Sequence, residues 1–128
     1  MIERYSRKEL TDIWEDKNKY TIWLNIELAA AEAMEKLKII PKGVVKKVKS
    51  KSKINVKRIL EIEKNVKHDV IAFLTSITEK AGAEARYLHK GMTSSDVLDT
   101  CFNLQLKQSG EVLLKDIKKL LFIIKKQA

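Results

Sequence analysis

Between Ser94 and Ala128 the chain contains no proline and one glycine, Gly110. Val97, Leu98, Cys101, Phe102, Leu106, Leu113, Ile117, Leu120 and Ile124 recur there at helical spacing. Leu104, Leu114, Leu121 and Ile123 widen the apolar side beyond a single stripe, so the helix wants neighbours on more than one side. One continuous helix over this span is about 50 Å long at 1.5 Å per residue. A compact globule of this chain length is only about 36 Å across, from a radius of gyration of about 14 Å. The helix must therefore project from the body or pack against helices that this chain does not contain. The ending LLFIIKKQA carries no helix stop signal. The expectation is a leading piece of a longer helical protein, or a chain that oligomerises through this helix.

The rest of the sequence reads as helical too. It is 45% hydrophobic and 34% charged with 4 Gly and 1 Pro, too little turn punctuation for an all-β fold. Ser6-Arg7-Lys8-Glu9 fits a capping box and predicts a helix from near Arg7. A second helix is predicted from about Asn18 to Leu37, with Tyr20, Trp23, Leu24, Ile26, Ala30, Ala31, Met34 and Leu37 as its apolar stripe. Ile39-Ile40-Pro41 ends it, and Pro41 suits the first turn of a short helix. Asn55 is the expected N-cap of another, carrying Ile59, Leu60 and Ile62. A further helix follows, with Ile71, Leu74, Ile77, Thr78 and Ala81 as its stripe and Gly82 as its C-cap. Residues 83–92 read as a short irregular connection.

The net charge of +9 comes from lysine, since the arginines are only Arg4, Arg7, Arg58 and Arg86. Bidentate reading of phosphates or bases usually calls for arginine. In the densest run, Pro41 to Lys53, Val44, Val45 and Val48 fall at helical spacing, so the lysines read as the wet side of a short helix rather than a nucleic-acid patch. The N-terminus is polar and lacks a secretory h-region, and no apolar run reaches membrane-spanning length. The single cysteine, Cys101, reads as a buried thiol, and the expected compartment is the cytoplasm.

Three segments carry candidate chemistry. Lys67-His68-Asp69 lies at a predicted helix start, where three polar side chains can reach one ligand from different angles. Adjacent helical residues point apart, so His68 and Asp69 are not expected to form a self-contained dyad, and spacing alone favours a merely solvated helix start. In GMTSSDVLDT, Thr93 and Asp96 fit a capping box. That leaves Ser94, Ser95 and the preceding Gly91 unexplained. A helix N-terminus offers free N–H groups to a carboxylate or phosphate, added hydroxyls can complete the pocket, and Gly91 lets backbone approach a ligand. The pattern leaves cap and anion site both open. Arg4-Tyr5 pairs a guanidinium fork with a phenol ahead of the first helix; alone it is no better than a surface residue beside a packing tyrosine. The metal reading is weak, since His68 and His89 are the only histidines and no ligand pair has helical metal-site spacing.

Together, the stretches MIERYSRKELTDIW, INVKRILEIEKNVKHDVIAFL and YLHKGMTSSDVLDT resemble the adenylosuccinate lyase family of the fumarase/aspartase superfamily, in order and in spacing. The resemblance covers the whole chain. GMTSSDVLDT is shared more loosely across the superfamily, while the RYS start and KHDVIAF point to this branch. The resemblance implies an all-α fold, with residues 1–92 a small N-terminal helical domain and 93–128 the start of the first long helix of a central bundle. It implies a cytoplasmic homotetramer that eliminates fumarate from adenylosuccinate and from the succinyl-carboxamide intermediate of purine synthesis. No cofactor, nucleic acid or membrane takes part. By position, Arg4 and Tyr5 match residues that hold the nucleotide, and Lys67, His68 and Asp69 a second substrate-binding segment. His68 is also a candidate for assisting proton transfer or polarising the leaving group. Thr93 and Ser94 match residues at the succinyl carboxylate end, and His89 aligns near the phosphate-binding region. Ser95 and Asp96 are expected to support the turn. The family's base serine, on a Ser-Ser-x-Met-Pro-type loop, and its histidine in a Thr-His-Gly-type segment have no counterpart here. The expectation is that this chain supplies part of a substrate site and cannot turn over alone. The alternatives are a superfamily lyase for another fumarate-yielding substrate, such as argininosuccinate, or a basic helical module that binds nucleic acid or a partner helix.

Overall fold

A computed structural model describes residues 2–127, and among them the chain forms six α-helices and no strand. After a 3-10 turn at Glu3–Tyr5, α1 spans Lys8–Trp14, α2 Asp16–Lys36, α3 Val44–Lys51, α4 Val56–Val66, α5 Asp69–Ala81 and α6 Ser94–Gln127. A second 3-10 stretch, Gly82–Tyr87, opens the connection into α6.

The long α2 is the spine of the core. It buries Tyr20, Ile22, Trp23, Leu28 and Ala31 together with one acid, Glu27. The predicted stripe stops short of Leu37, which is exposed because the helix closes there in a Schellman turn. Lys38 takes the left-handed position, its N–H reaches the carbonyl of Glu35, and the N–H of Ile39 reaches that of Met34. In α3, Val44 and Val48 are buried and the lysines face out, so the basic run is a solvated helix face. Asn55 caps α4 as expected, its side-chain oxygen accepting from the N–H of Arg58 at 3.1 Å.

The buried face of α5 keeps Ile77 and Ala81 of the predicted stripe and replaces Ile71 and Thr78 with Val70 and Phe73. Val70, Phe73, Ile77 and Ala81 point inward, while Ile71 and Thr78 are exposed. Phe73 decides the phase, because the largest apolar side chain of the helix packs against both Tyr20 and Trp23 of α2. The hydroxyl of Thr78 instead donates back to the carbonyl of Leu74 at 2.8 Å, which a solvent-facing threonine can do. Gly82 ends the helix at φ +78, as expected of a C-cap glycine.

The capping box predicted at Ser6 does not form. The Ser6 hydroxyl donates to the carbonyl of Ile2 at 2.8 Å, closing the 3-10 turn, and Arg7 occupies the N-cap without a side-chain bond. Nothing in α1 is buried. Seven residues are too few to hold a helix in water, and α1 is held from outside by α6. The Trp14 indole N–H donates to Ser109 Oγ at 3.1 Å, Gln105 Nε2 donates to the carbonyl of Ile13 at 2.7 Å, and Arg7 pairs with Asp116. The two helices therefore run antiparallel.

Only the first three turns of α6 belong to the core. Val97, Cys101 and Gln105 are buried, four residues apart, and Cys101 packs against α2 with burial pushing its thiol pKa up. Beyond Gln105 no described residue of α6 is buried. Leu113, Leu114, Ile117, Leu120, Leu121, Phe122 and Ile124 are all at least half exposed. The helix projects from the body, as its length demanded.

Candidate functional site

The first candidate segment is the corner between α4 and α5. Lys67 ends α4 in the left-handed region, φ +55, and its N–H reaches the carbonyl of Glu63 at 2.8 Å. His68 is then extended and becomes the N-cap of α5, its Nδ1 accepting from the N–H of Ile71 at 3.4 Å. An accepting Nδ1 places the ring proton on Nε2, which is left to face outward. Asp69 Oδ1 lies 3.6 Å from that Nδ1 and accepts from the N–H of Val70 at 2.7 Å. The carboxylate is thus engaged by backbone, and His68 and Asp69 form no hydrogen-bonded dyad. Lys67, His68 and Asp69 all retain solvent exposure at one helix mouth.

The second segment is the approach to α6. Leu88 is buried, His89 is left-handed at φ +58 and Gly91 at φ +70. Asp96 turns back to accept from the N–H of Thr93 at 2.8 Å, and the Asp96 N–H reaches the carbonyl of Thr93 at 3.1 Å. The acid therefore does the capping. Among the described residues, the hydroxyls of Thr93, Ser94 and Ser95 make no hydrogen bond, and together with the first N–H groups of α6 they are free to meet an anion.

His89 is tied down by a residue that sequence reasoning missed. Glu27, with a fully buried side chain, accepts from the His89 backbone N–H through Oε2 and faces His89 Nδ1 through Oε1, both at 2.7 Å. The signal was present: Glu27 lies on the same helical stripe as Tyr20, Trp23 and Ala31, where a charge is costly unless it finds a partner. The two histidines are consequently held in opposite senses, His68 with Nδ1 accepting from a backbone N–H and His89 with Nδ1 facing a carboxylate.

The third segment is not with the others. Arg4 and Tyr5 are exposed, with the guanidinium 4.9 Å from the centre of the Tyr5 ring. Antiparallel pairing carries this end of the chain along α6 to Asp116. Twenty-two residues separate Asp116 from Ser94, about 33 Å of helix. The segments 67–69 and 89–94 are likewise joined by no hydrogen bond or ion pair among the described residues. Nor does the concavity at the end of α2 gather them. It measures about 810 Å³ and opens beside the end of α2, between Glu32 and Lys42.

Comparison with known proteins places the chain in a family. A family model described as Lyase matches residues 3–128. Over all 128 residues the chain is 45% identical to adenylosuccinate lyase of Bacillus subtilis (strain 168), and it spans 30% of that protein's length. In fold it is similar to a fumarate lyase from Mesorhizobium sp. BNC1, with a TM-score of 0.77 at 21% identity, covering 89% of this chain and 29% of the other. The helical body, the projecting α6 and the match along nearly its full length lead to one conclusion: the chain belongs to the lyase family.

Proposed function

We propose that this chain provides one part of the substrate site of a lyase that eliminates fumarate from adenylosuccinate, leaving AMP, and acts in the same way on the succinyl-carboxamide ribotide of purine synthesis. The observation that carries the reading is the 45% identity to an adenylosuccinate lyase along the whole chain. The free hydroxyls of Thr93 and Ser94 at the mouth of α6 support it.

In the elimination a base takes a proton from the carbon beside a succinyl carboxylate. The electron pair forms the C=C bond of fumarate, the C–N bond breaks, and an acid protonates the departing nitrogen. Negative charge accumulates on that carboxylate. Thr93 and Ser94, with the N–H groups behind them, hold it and stabilise the charge more in the transition state than in the ground state. His68, with its proton on Nε2, assists the leaving nitrogen, and Lys67 and Asp69 flank it. His89 faces the phosphate, and Arg4 and Tyr5 hold the nucleotide. Because Arg7, next to Arg4-Tyr5, pairs with Asp116, about 33 Å along α6 from Ser94, different copies of a homotetramer supply the two ends to one nucleotide. In this reading residues 1–92 are the N-terminal domain and 93–128 enter the central bundle. The reaction proceeds in the cytoplasm without metal, organic cofactor, nucleic acid or membrane.

The chain by itself is inactive, since the family's base serine and second histidine have no counterpart in it. Two measurements test the reading. Purified 1–128 shows no adenylosuccinate cleavage by ultraviolet assay, and steady turnover free of contaminating enzyme would overturn that part. Thr93→Ala combined with Ser94→Ala weakens adenylosuccinate binding at least about tenfold, the loss of roughly one charge-assisted hydrogen bond, with unchanged melting. Unchanged affinity would remove the hydroxyl run from the site.

A further inference from the structure

We infer that Glu27 is the positioning residue of the anion subsite at His89, an inference that rests on the nucleotide reading above. Its carboxylate is fully buried on α2, yet it stabilises no core neighbour by charge. Both of its oxygens are spent on one residue, 62 positions away, at 2.7 Å each. One bond fixes the His89 backbone in the left-handed region, φ +58, where a non-glycine residue is strained. The other fixes the ring. An ionised carboxylate only accepts, so His89 Nδ1 carries a proton, and Nε2 is the nitrogen left at the far edge of a ring that is 19% exposed. Four residues further on, past Gly91, come the unbonded hydroxyls of Thr93 and Ser94. Glu27 thus sets, from inside the core, both the orientation of Nε2 and the path of the loop that delivers the hydroxyl run. The group that suits Nε2 is a phosphate monoester, which accepts a hydrogen bond once Nε2 is protonated as well. The buried carboxylate then balances the charge of that ring. The pair acts as a carboxylate-histidine couple aimed at an anion.

The substitution Glu27→Gln separates this role from mere packing. Glutamine is nearly isosteric, but it presents one acceptor and one donor to two N–H groups. The arrangement that satisfies both sides keeps its oxygen on the His89 N–H and turns its amide toward Nδ1. The ring proton must then move to Nε2, and the charge pairing is lost. Nitrogen-15 spectra of the imidazoles read this directly. There are only two histidines, and His68→Gln assigns them. The expected result is a protonated Nδ1 on His89 in the unsubstituted protein and a protonated Nε2 alone in Glu27→Gln. AMP affinity falls about tenfold and adenosine affinity does not change. A bare Nδ1 in the unsubstituted protein would overturn the proposal. So would a Glu27→Gln protein that loses AMP and adenosine equally, or neither. If Glu27→Gln does not fold, the unsubstituted protein still decides: the His89 ring signals must shift with AMP and stay in place with adenosine. Failure of AMP to bind the unsubstituted homotetramer would overturn the nucleotide reading itself, and the proposal with it. AMP binding that ignores Glu27 would overturn the proposal alone.

Discussion

The ring of Tyr20 lies flat on that of Phe73, centroids 6.0 Å apart and planes within 7° of parallel. Trp23 meets the same phenylalanine edge-on at 5.5 Å, and all three side chains are essentially buried. This contact joins α2 to α5 and so places the helix start that carries His68. Phe73→Ala is expected to lower unfolding free energy by about 3–5 kcal/mol, as for other buried aromatics. Urea denaturation measures it, and a loss below about 1 kcal/mol would show that the cluster is not the joint between these helices.

Arg58 forms a forked pair with Glu79 across α4 and α5, at 2.6 and 3.0 Å. The guanidinium holds the Glu79 pKa below its ordinary value of 4.5, chiefly through the side-chain hydrogen bond. A carboxylate with a depressed folded-state pKa contributes stability that is present above 4.5 and lost as pH falls through its folded value. Both groups are open to solvent, so the contribution is modest. The expected outcome is a Glu79→Gln protein that melts below the unsubstituted one at pH 7, with the gap closing at acid pH. A gap that persists at pH 2 would assign the effect to packing.

Lys38 holds the left-handed position of the α2 terminus at φ +60, where glycine is at ease and lysine is strained. Lys38→Gly is expected to stabilise the protein by about 0.5–1 kcal/mol, the reverse of the usual cost of introducing glycine. Thermal melting reads the sign, and a fall in stability would mean that the lysine side chain contributes more than its backbone costs.

Among the described residues, the apolar far half of α6 is left exposed. Under the tetrameric reading, Ile117→Lys with Leu120→Lys moves the protein from an assembly to a monomer, while the melting of the body changes by less than about 1 kcal/mol, as expected of exposed positions. Sedimentation velocity distinguishes the two states. An oligomer that survives both lysines would place the interface elsewhere.

The parts of the fold that could be read from sequence were those with a local cause. Asn55, Gly82 and the proline-free run from Ser94 each act through neighbouring backbone, and each behaves as its local chemistry dictates. Ser6 did not, because its hydroxyl had a nearer acceptor in Ile2, and the arginine beside it found an aspartate 109 residues away. In α5 the stripe was right at Ile77 and Ala81 and missed Phe73, which answers to rings on another helix. In the candidate site, free hydroxyls and an acid cap at the start of α6 were legible as a pattern. Glu27 was legible as an acid on a buried stripe, but its partner was not, since that histidine is brought to it by the whole body of the fold. The separation of Arg7 from Ser94 along α6 was equally hidden, for sequence order places both at helix starts without saying which way the helices run.

The short α1 has a mechanical consequence. Its bonds reach α6 at Ser109 on one side of Gly110 and at Asp116 on the other. Glycine is the weakest point of a helix interior, and a Cβ added at Gly110 would meet open space, so packing does not explain it. The first helix is therefore a splint laid across a joint. While it is bound, α6 moves as one rod, and a tilt of about 5° imposed at Asp116 shifts the hydroxyl end by about 3 Å over the stretch of about 33 Å between them. Without those bonds, the weakest helical preference of the rod would lie at Gly110, between the two ends of the molecule.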